Sequence, residues 1–536
     1  MSATDATAAQ PSLWSPFRHK AFAIIWSATV VANIGAWMYS AAASWLMAGL
    51  DSDPLMVSLV QVASTLPVFL FALPAGALAD IVDKRRFLIG AEGFYTIAST
   101  AFAALVWLHL ITPATLLLFV FLIEAGGAVT APAWQSVVPQ LVPQNDLPAA
   151  VSMNSVGVNI SRTLGPALGG FVTARFGIAA PFWVNAVSNL GTLSALVWWR
   201  SPHDRASRLP AEHFMGAIRT GIRYAWNSRY LQATLVRGAA FFLSASCYWA
   251  LLPLVARHQI GGGATLYGVL LGAIGVSAIA GAFALPWLRA HVGPNQLVAA
   301  GSIGTALTLV LFGAAHAPLV AVAASLIAGA SWIVVLATLN VSAQFALPQW
   351  VRARGLAVYV TGFFGALTLG SVVWGQVARV ASVPLAHFIA AAAAVLAIPL
   401  TWRRWQLQTN GDLDLTPSMH WPTPLLSKHV DQDAGPVLVT LEYRVSAPER
   451  EAFLRALDRL SHERHRDGAY SWGIFEDVAE SGRFVETFLV ESWLEHQRQH
   501  ERVTNADRVL QEQILHLVKG EPTVTHLIAS RPQRDQ

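Results

Sequence analysis

Cysteine, acid and charge in general are what this chain of 536 residues has least of, and each scarcity excludes something. A single cysteine, Cys247, rules out an intrachain disulfide and any metal or iron–sulfur site built from cysteine. Set in an apolar run, it reads as a small packing residue. Only 12% of the residues are charged against 54% hydrophobic, and the mean hydropathy is +0.48, which leaves too little polar surface for a soluble protein of this size. The composition is that of a membrane protein. Acids are also unevenly spread: none occurs between Glu212 and Asp412, whereas the last hundred or so residues hold roughly half of them and read as a soluble domain. No phosphate loop of the form GxxxxGK followed by Ser or Thr is present, so ATP is not the expected energy source. The polar start "MSATDATAAQPSLWSPFRHK" and the long first apolar run argue against a cleavable signal peptide.

What is abundant is apolar sequence in runs of about 20 residues, the length that satisfies every backbone polar group inside a bilayer as helix. Counting gives roughly twelve runs: 22–47, 55–79, 87–108, 114–138, 150–175 and 180–199 in the first half, and 231–256, 267–288, 297–315, 318–340, 356–380 and 385–402 in the second. The expected layout is an N-terminus (1–20), a six-helix bundle (21–200), a linker (201–230), a second six-helix bundle (231–404), a second linker (405–435) and a folded tail (436–531). In the first linker, "EHFMGAIRTGIRYAW" places Phe214, Ile218, Ile222 and Tyr224 near one helix face and Arg219 and Arg223 near another, as in an interfacial amphipathic helix.

Lys and Arg set the orientation. Arg18, Lys20, Lys84 to Arg86, the basic linker, Arg289, Arg352, Arg354, Arg403 and Arg404 all fall on one side, so both termini are expected in the cytoplasm of a multi-pass inner-membrane protein. "GALAD" at Gly76 pairs with "GAFALP" at Gly281, and "PQLV" at Pro139 with "PQWV" at Pro348, at nearly the same offset. The chain is therefore a duplication, the arrangement in which secondary transporters rock two halves around a midplane cavity.

Three stretches carry a family resemblance. "GALADIVDKRRF" resembles the loop between helices 2 and 3 of the major facilitator superfamily: Gly76, Leu78, Asp80, Lys84 and Arg85 fall on the pattern, with Arg86 beside them, while Asp83 stands where a second Gly is usual. "SRTLGPALGG" resembles the helix-5 signature of drug-type antiporters, with Gly165, Pro166, Gly169 and Gly170 in place and Ser161 for the first Gly. The stretch from Ala330 to Tyr359 is similar to the branch holding enterobactin exporters and transmembrane secretion effectors. The resemblance implies an all-α polytopic membrane protein with twelve transmembrane helices in the major facilitator fold, working as an exporter. It also implies that Gly76, Asp80, Lys84, Arg85 and Arg86 form a conformational lock, Asp80 meeting the N-terminal end of a helix near Gly355. The Arg usual in helix 4 of proton antiporters is missing; Glu124 lies there instead.

Ionisable groups inside a membrane are costly and need a reason. Glu124, near the middle of its helix, is the expected proton carrier, the alternative being a static pair with Arg162; Glu92, a turn inside helix 3 near Lys84 and Arg86, is the reserve carrier or an interfacial pair. Arg162 and Arg237 are the cations expected to face the substrate cavity, with Trp26, Tyr39 and Trp332 as aromatic surface and Asn33, Asn154, Asn159 and Asn340 as polar groups. Trp134, Tyr248, Gln61 and Asn185 are candidates of the same kind; core packing or an interfacial belt is the preferred reading of each aromatic, and interhelical hydrogen bonds explain the amides equally well.

In the tail the period changes. "GPVLVTLEYRV", "GAYSWGIFED", "RFVETFLVES" and "TVTHLIA" alternate as strands; "APEREAFLRALDRLSHERHR" and the stretch from Ser492 to Val518 have helical spacing. The order β-α-β-β-α-β is that of a ferredoxin-like α+β domain. It resembles the antibiotic-biosynthesis monooxygenase kind, which form dimers, so a homodimer through the tail is one expected partner. His496 and His500, four residues apart with Glu501 nearby, lack a third metal ligand and read as a solvated helix face. The reading is a transporter, not an enzyme, that exports a siderophore-like or drug-like small molecule by proton antiport in a lipid bilayer, with no cofactor, metal or nucleic acid. Its alternatives are fusion to an active monooxygenase or haem-handling tail, and a transporter-like sensor.

Overall fold

The computed structural model describes residues 12, 14–81, 83–199, 214–408, 414–418, 420–421 and 430–529. The chain divides into two compact units, one made of Met1–Ala211, Leu235–Leu339 and Val360–Arg404, the other of Glu212–Thr234, Asn340–Tyr359 and Trp405–Gln536.

The first unit is helical. Six helices come from the first half of the chain: α1 (Lys20–Leu50), α2 (Pro54–Ile81), α3 (Lys84–Trp107), α4 (Pro113–Leu141), α5 (Leu147–Phe176) and α6 (Ala180–Trp198). After the linker helix α7 (Phe214–Asn227), six more follow: α8 (Arg229–Leu254), α9 (Ala264–His291), α10 (Pro294–Gly313), α11 (Pro318–Phe345), α12 (Arg352–Val380) and α13 (Val383–Trp402). Proline opens α2, α4, α10 and α11, where its missing N–H leaves no bond unmade. Thr112 and Thr115 form a capping box at the start of α4. Among the described residues, ten of the twelve long helices are apolar enough over their length to cross a membrane by composition alone; α5 and α6 are not in that set, and the reason is visible in the sequence. Asn154, Asn159 and Arg162 dilute α5, and α6, only 19 residues long, carries Asn185, Ser188, Asn189 and Thr192.

The "GALADIVDKRRF" segment gains a local account. The Asp83 side chain caps α3, accepting from the Arg86 backbone N–H at 2.8 Å, so a carboxylate stands where the loop pattern has Gly because a helix starts there. Arg85 donates to the carbonyls of Trp199 (2.6 Å) and Val197 (2.7 Å), satisfying the C-terminal end of α6. Gly76 falls within α2, and the side chains of Asp80 and Lys84 lie outside the described residues.

The second unit is built on a four-stranded antiparallel sheet of β1 (Val437–Arg444), β2 (Ser471–Glu476), β3 (Arg483–Val490) and β4 (Thr523–Ile528), in the order β2-β3-β1-β4. Helices α14 (Arg450–Asp467), α15 (Trp493–Arg502) and α16 (Asn505–Leu515) complete it. On β3, Phe484, Glu486, Phe488 and Val490 alternate inward, so one face meets a core of Tyr443, Phe453, Leu457 and Leu460. The single helix expected between β3 and β4 is two, broken where Thr504 and Asp507 form a capping box. Part of the expected second linker belongs to the tail: Pro417 pairs with Thr504, and Trp421 donates to Gln511 at 2.8 Å.

Helix α7 departs from the interfacial reading. Tyr224 is 2% exposed and donates to the Ala346 carbonyl at 2.9 Å, the Arg466 guanidinium lies 5.8 Å from its ring, and Arg223 reaches Glu495 at 3.4 Å. Ile222, expected on the apolar face with Tyr224, is 47% exposed. The face chosen for burial is the one whose Arg and Tyr find partners in the tail, which outweighs the apolar stripe.

Candidate functional site

In the helical unit α1, α2, α4, α5, α8, α9, α11 and α12 line a cavity of about 460 Å³. Two of its lining residues are of the charged kinds, Glu124 on α4 and Arg162 on α5. The static pair weighed above does not form: no Glu124–Arg162 ion pair occurs, and among the described residues no hydrogen bond holds the Glu124 carboxylate. Arg162 instead lies over the Trp37 ring, 5.7 Å from its centre. Opposite stands an aromatic wall in which Trp332 packs against Trp249 (5.4 Å) and Phe363 (6.2 Å). Gln61 and the Thr65–Thr368 hydroxyl pair (2.7 Å) add polar groups from α2 and α12.

One end of the cavity is shut. Trp45 stacks on Tyr267 at 5.7 Å, Arg257 lies 5.1 Å from the Trp45 ring, and Arg379 meets Asp53 at 3.5 Å. The helix-5 glycines make this contact close. A Cβ on Gly170 would stand 2.6 Å from the Ala264 carbonyl and 2.8 Å from Gly268 Cα, so α5 and α9 touch backbone to backbone; Gly169 faces the Met38 backbone of α1 in the same way. Gly165 packs on Trp37, Pro166 lines the cavity, and Ser161 donates to the carbonyls of Val30 and Gly157.

Of the residues expected to line a substrate cavity, Arg162, Trp332 and Gln61 line this one, together with the expected proton carrier Glu124. The others lie elsewhere. Glu92 is buried between α3 and α4, where it accepts from Trp134 Nε1 at 2.9 Å. Trp26 donates to the Met153 carbonyl at 3.0 Å, and Tyr39 packs edge-on against Phe102 and Phe182. Tyr248 is core, Asn185 is buried against Ser99, and Asn154 and Asn159 are exposed on α5, Asn159 bonding the Ser155 carbonyl. Asn33 lies on the Trp37 face of α1 but is not among the lining residues, and Asn340 belongs to the second unit. Arg237 is in a different, smaller cavity. Trp37, Trp249 and Phe363 were missed because a helix apolar all round gives no sign of which aromatic faces inward.

In the tail, His496 and His500 do not form a solvated face. His496 is 1% exposed and packs against Trp493 and His526, its Nε2 3.4 Å from that of His500. Burial pushes His496 down to about 3 and His500 to about 4, so both rings are neutral. No cluster of three or more metal-ligating side chains is present among the described residues.

A bundle of twelve long helices around a charged, aromatic cavity is that of a membrane transporter of the major facilitator type. Comparison places it more closely: the chain belongs to the transmembrane secretion effector family, whose profile matches residues 11–534. It is similar to the staphyloferrin A transporter of Staphylococcus aureus, 21% identical over 53% of this chain and 72% of that one. The multidrug efflux pump Tap of Mycolicibacterium fortuitum is 24% identical over 67% of this chain and 89% of its own. An uncharacterized MFS-type transporter of Bacillus subtilis, YfiS, is 28% identical, but the match spans only 40% of its length. Among solved structures, an auto inhibited POT family peptide transporter matches at TM-score 0.60 and 13% identity, over 73% of this chain and 98% of that one. The nucleoside transporter NupG matches at 0.57 and 13%, over 74% and 100%. These two likenesses concern the fold alone.

Proposed function

We propose that this protein is a proton-coupled exporter of a small organic molecule, siderophore-like or drug-like, and that Glu124 carries the proton. The observation that carries the reading is a carboxylate and a guanidinium on one cavity wall with no bond between them. Each is free to exchange a proton or an anionic substrate group as the cavity opens and closes. Arg162 then selects ligands with a carboxylate or phenolate, and the Trp249–Trp332–Phe363 wall takes their flat apolar parts. Names of relatives that are efflux pumps or a siderophore transporter support export of this class. In this reading all twelve long helices span the inner membrane, the two polar helices α5 and α6 shielded by the others. Both termini are cytoplasmic, the shut end faces outward, and the tail is a ferredoxin-like regulatory or dimerising domain. Asp80 and its neighbours act as a latch between conformations.

Proteoliposome flux under an imposed pH gradient tests it, with siderophore-like and drug-like candidates as substrates. Glu124→Gln is expected to abolish the dependence of flux on the gradient, lowering gradient-driven transport by about tenfold or more, while substrate binding persists. Gradient-driven flux unchanged by Glu124→Gln removes the assignment; flux indifferent to pH in the wild type removes antiport.

A further inference from the structure

Arg237 is the cation the central cavity does not use. It sits two turns into α8 and is 4% exposed, yet its Nε has no hydrogen-bond partner. Its two terminal nitrogens lie 3.5 Å from the carbonyls of Asn295 and Thr401, the outer limit of hydrogen bonding, and its Cζ is 5.6 Å from the Trp402 ring. No carboxylate can neutralise it from the surrounding helices, because the sequence has no Asp or Glu between Glu212 and Asp412. A buried guanidinium with five donors and two marginal acceptors is a site missing its anion.

A small cleft, half open to the outside of the bundle, lies beside Arg237 between α8, α10 and α13, walled by Phe241, Val298, Ser302 and Ile398, so an anion reaches the guanidinium from the open side. It lies where α10 begins and α13 ends, the end of the bundle that also carries Arg289 and Arg403 by chain position. We infer that this cleft binds the phosphate of an anionic phospholipid. Arg237 grips the phosphate oxygens with its fork, Trp402 and Ser302 flank the headgroup, and the apolar wall receives the start of the acyl chains. Free inorganic phosphate shares the charge but not the chains, and the apolar lining favours the lipid.

Native mass spectrometry of the full chain, purified through detergent and offered phosphatidylglycerol or phosphatidylcholine, tests this. Wild type is expected to retain phosphatidylglycerol over phosphatidylcholine, and Arg237→Met to lose that preference by about tenfold. Ser302→Leu, which fills the cleft and leaves the arginine in place, should lose it too, and Arg237→Lys should keep part of it. Circular dichroism that matches wild type separates lost binding from lost folding. Equal retention by wild type, Arg237→Met and Ser302→Leu overturns the assignment. So does displacement of the lipid by millimolar inorganic phosphate, which would make the site one for a free anion.

Discussion

The two units bury charge in opposite ways. In the tail, Glu486 is 0% exposed and accepts from Arg464 (3.0 Å), Tyr443 (2.7 Å) and Trp472 (3.0 Å), while the Arg464 guanidinium stacks over Trp421 and Phe488. These donors hold the Glu486 carboxyl below its ordinary range despite burial, so it stays ionised. In the helical unit Glu124, Arg162 and Arg237 each border a cavity, and among the described residues none has a charged partner within ion-pair distance. A charge whose bonds are filled is part of the architecture; a charge with unused bonding capacity beside a void is available to something that comes and goes. That difference, more than burial itself, separates structural from functional ionisable groups here.

The largest expected effect tests the tail side. Arg464→Met leaves Glu486 buried with only two neutral donors and should cost about 3–5 kcal/mol, read as faster hydrogen exchange along β1 and β3 of the intact protein. Arg464→Met with Glu486→Leu removes both charges and should recover most of that loss. If the single variant is as protected as wild type, the filled network is not what holds the tail, and the contrast with the bundle fails. An intermediate effect comes from Glu463, whose carboxyl burial pushes up to about 9, with the Asp507 and Asp467 carboxylates adding and Arg466 and Arg464 opposing. One of its oxygens has no partner. The raised value means the folded tail keeps a proton that the unfolded chain releases. Its contribution is therefore complete below the ordinary carboxyl range and is lost as pH rises toward 9, by up to about 1.4 kcal/mol per pH unit. Glu463→Gln should flatten the stability of the tail between pH 6 and 9; an unchanged slope would place that titration elsewhere.

How much of this could be read beforehand follows the same division. Helix positions, the tail's order of strands along the chain and the cavity placement of Glu124 and Arg162 were legible, because apolar run length, period and the cost of intramembrane charge are properties of the local sequence. What failed was rotation. Nothing in α8 says whether Arg237 or Trp249 faces the main cavity, since apolar residues occur on every side of that helix. Asp83 was readable as an N-cap, an acid directly before a helical run, but was measured against a loop pattern that expects Gly. His496 was misplaced because its neighbour His526 arrives from β4, some thirty residues away in sequence and invisible to spacing along one helix. Helix α7 followed its partners in the tail, not its own apolar stripe.

The smallest expected effect is also the one that keeps the comparison fair. Arg508 and Glu512 form an i,i+4 pair on α16 with a 2.7 Å contact, shorter than the 3.0 Å between Arg464 and Glu486, yet their side chains are 51% and 50% exposed. If contact distance decided the worth of a charge pair, Arg508→Ala would hurt more than Arg464→Met. Water already solvates both exposed partners, salt screens them, and ordering two long side chains opposes the gain, so the loss should stay below about 0.5 kcal/mol. Hydrogen exchange along α16 in Arg508→Ala should therefore match wild type, and the small difference should vanish in high salt. A loss approaching that of Arg464→Met would mean that pairing alone stabilises this tail. The unpaired state of Glu124, Arg162 and Arg237 would then say less about their availability to protons, substrate and lipid.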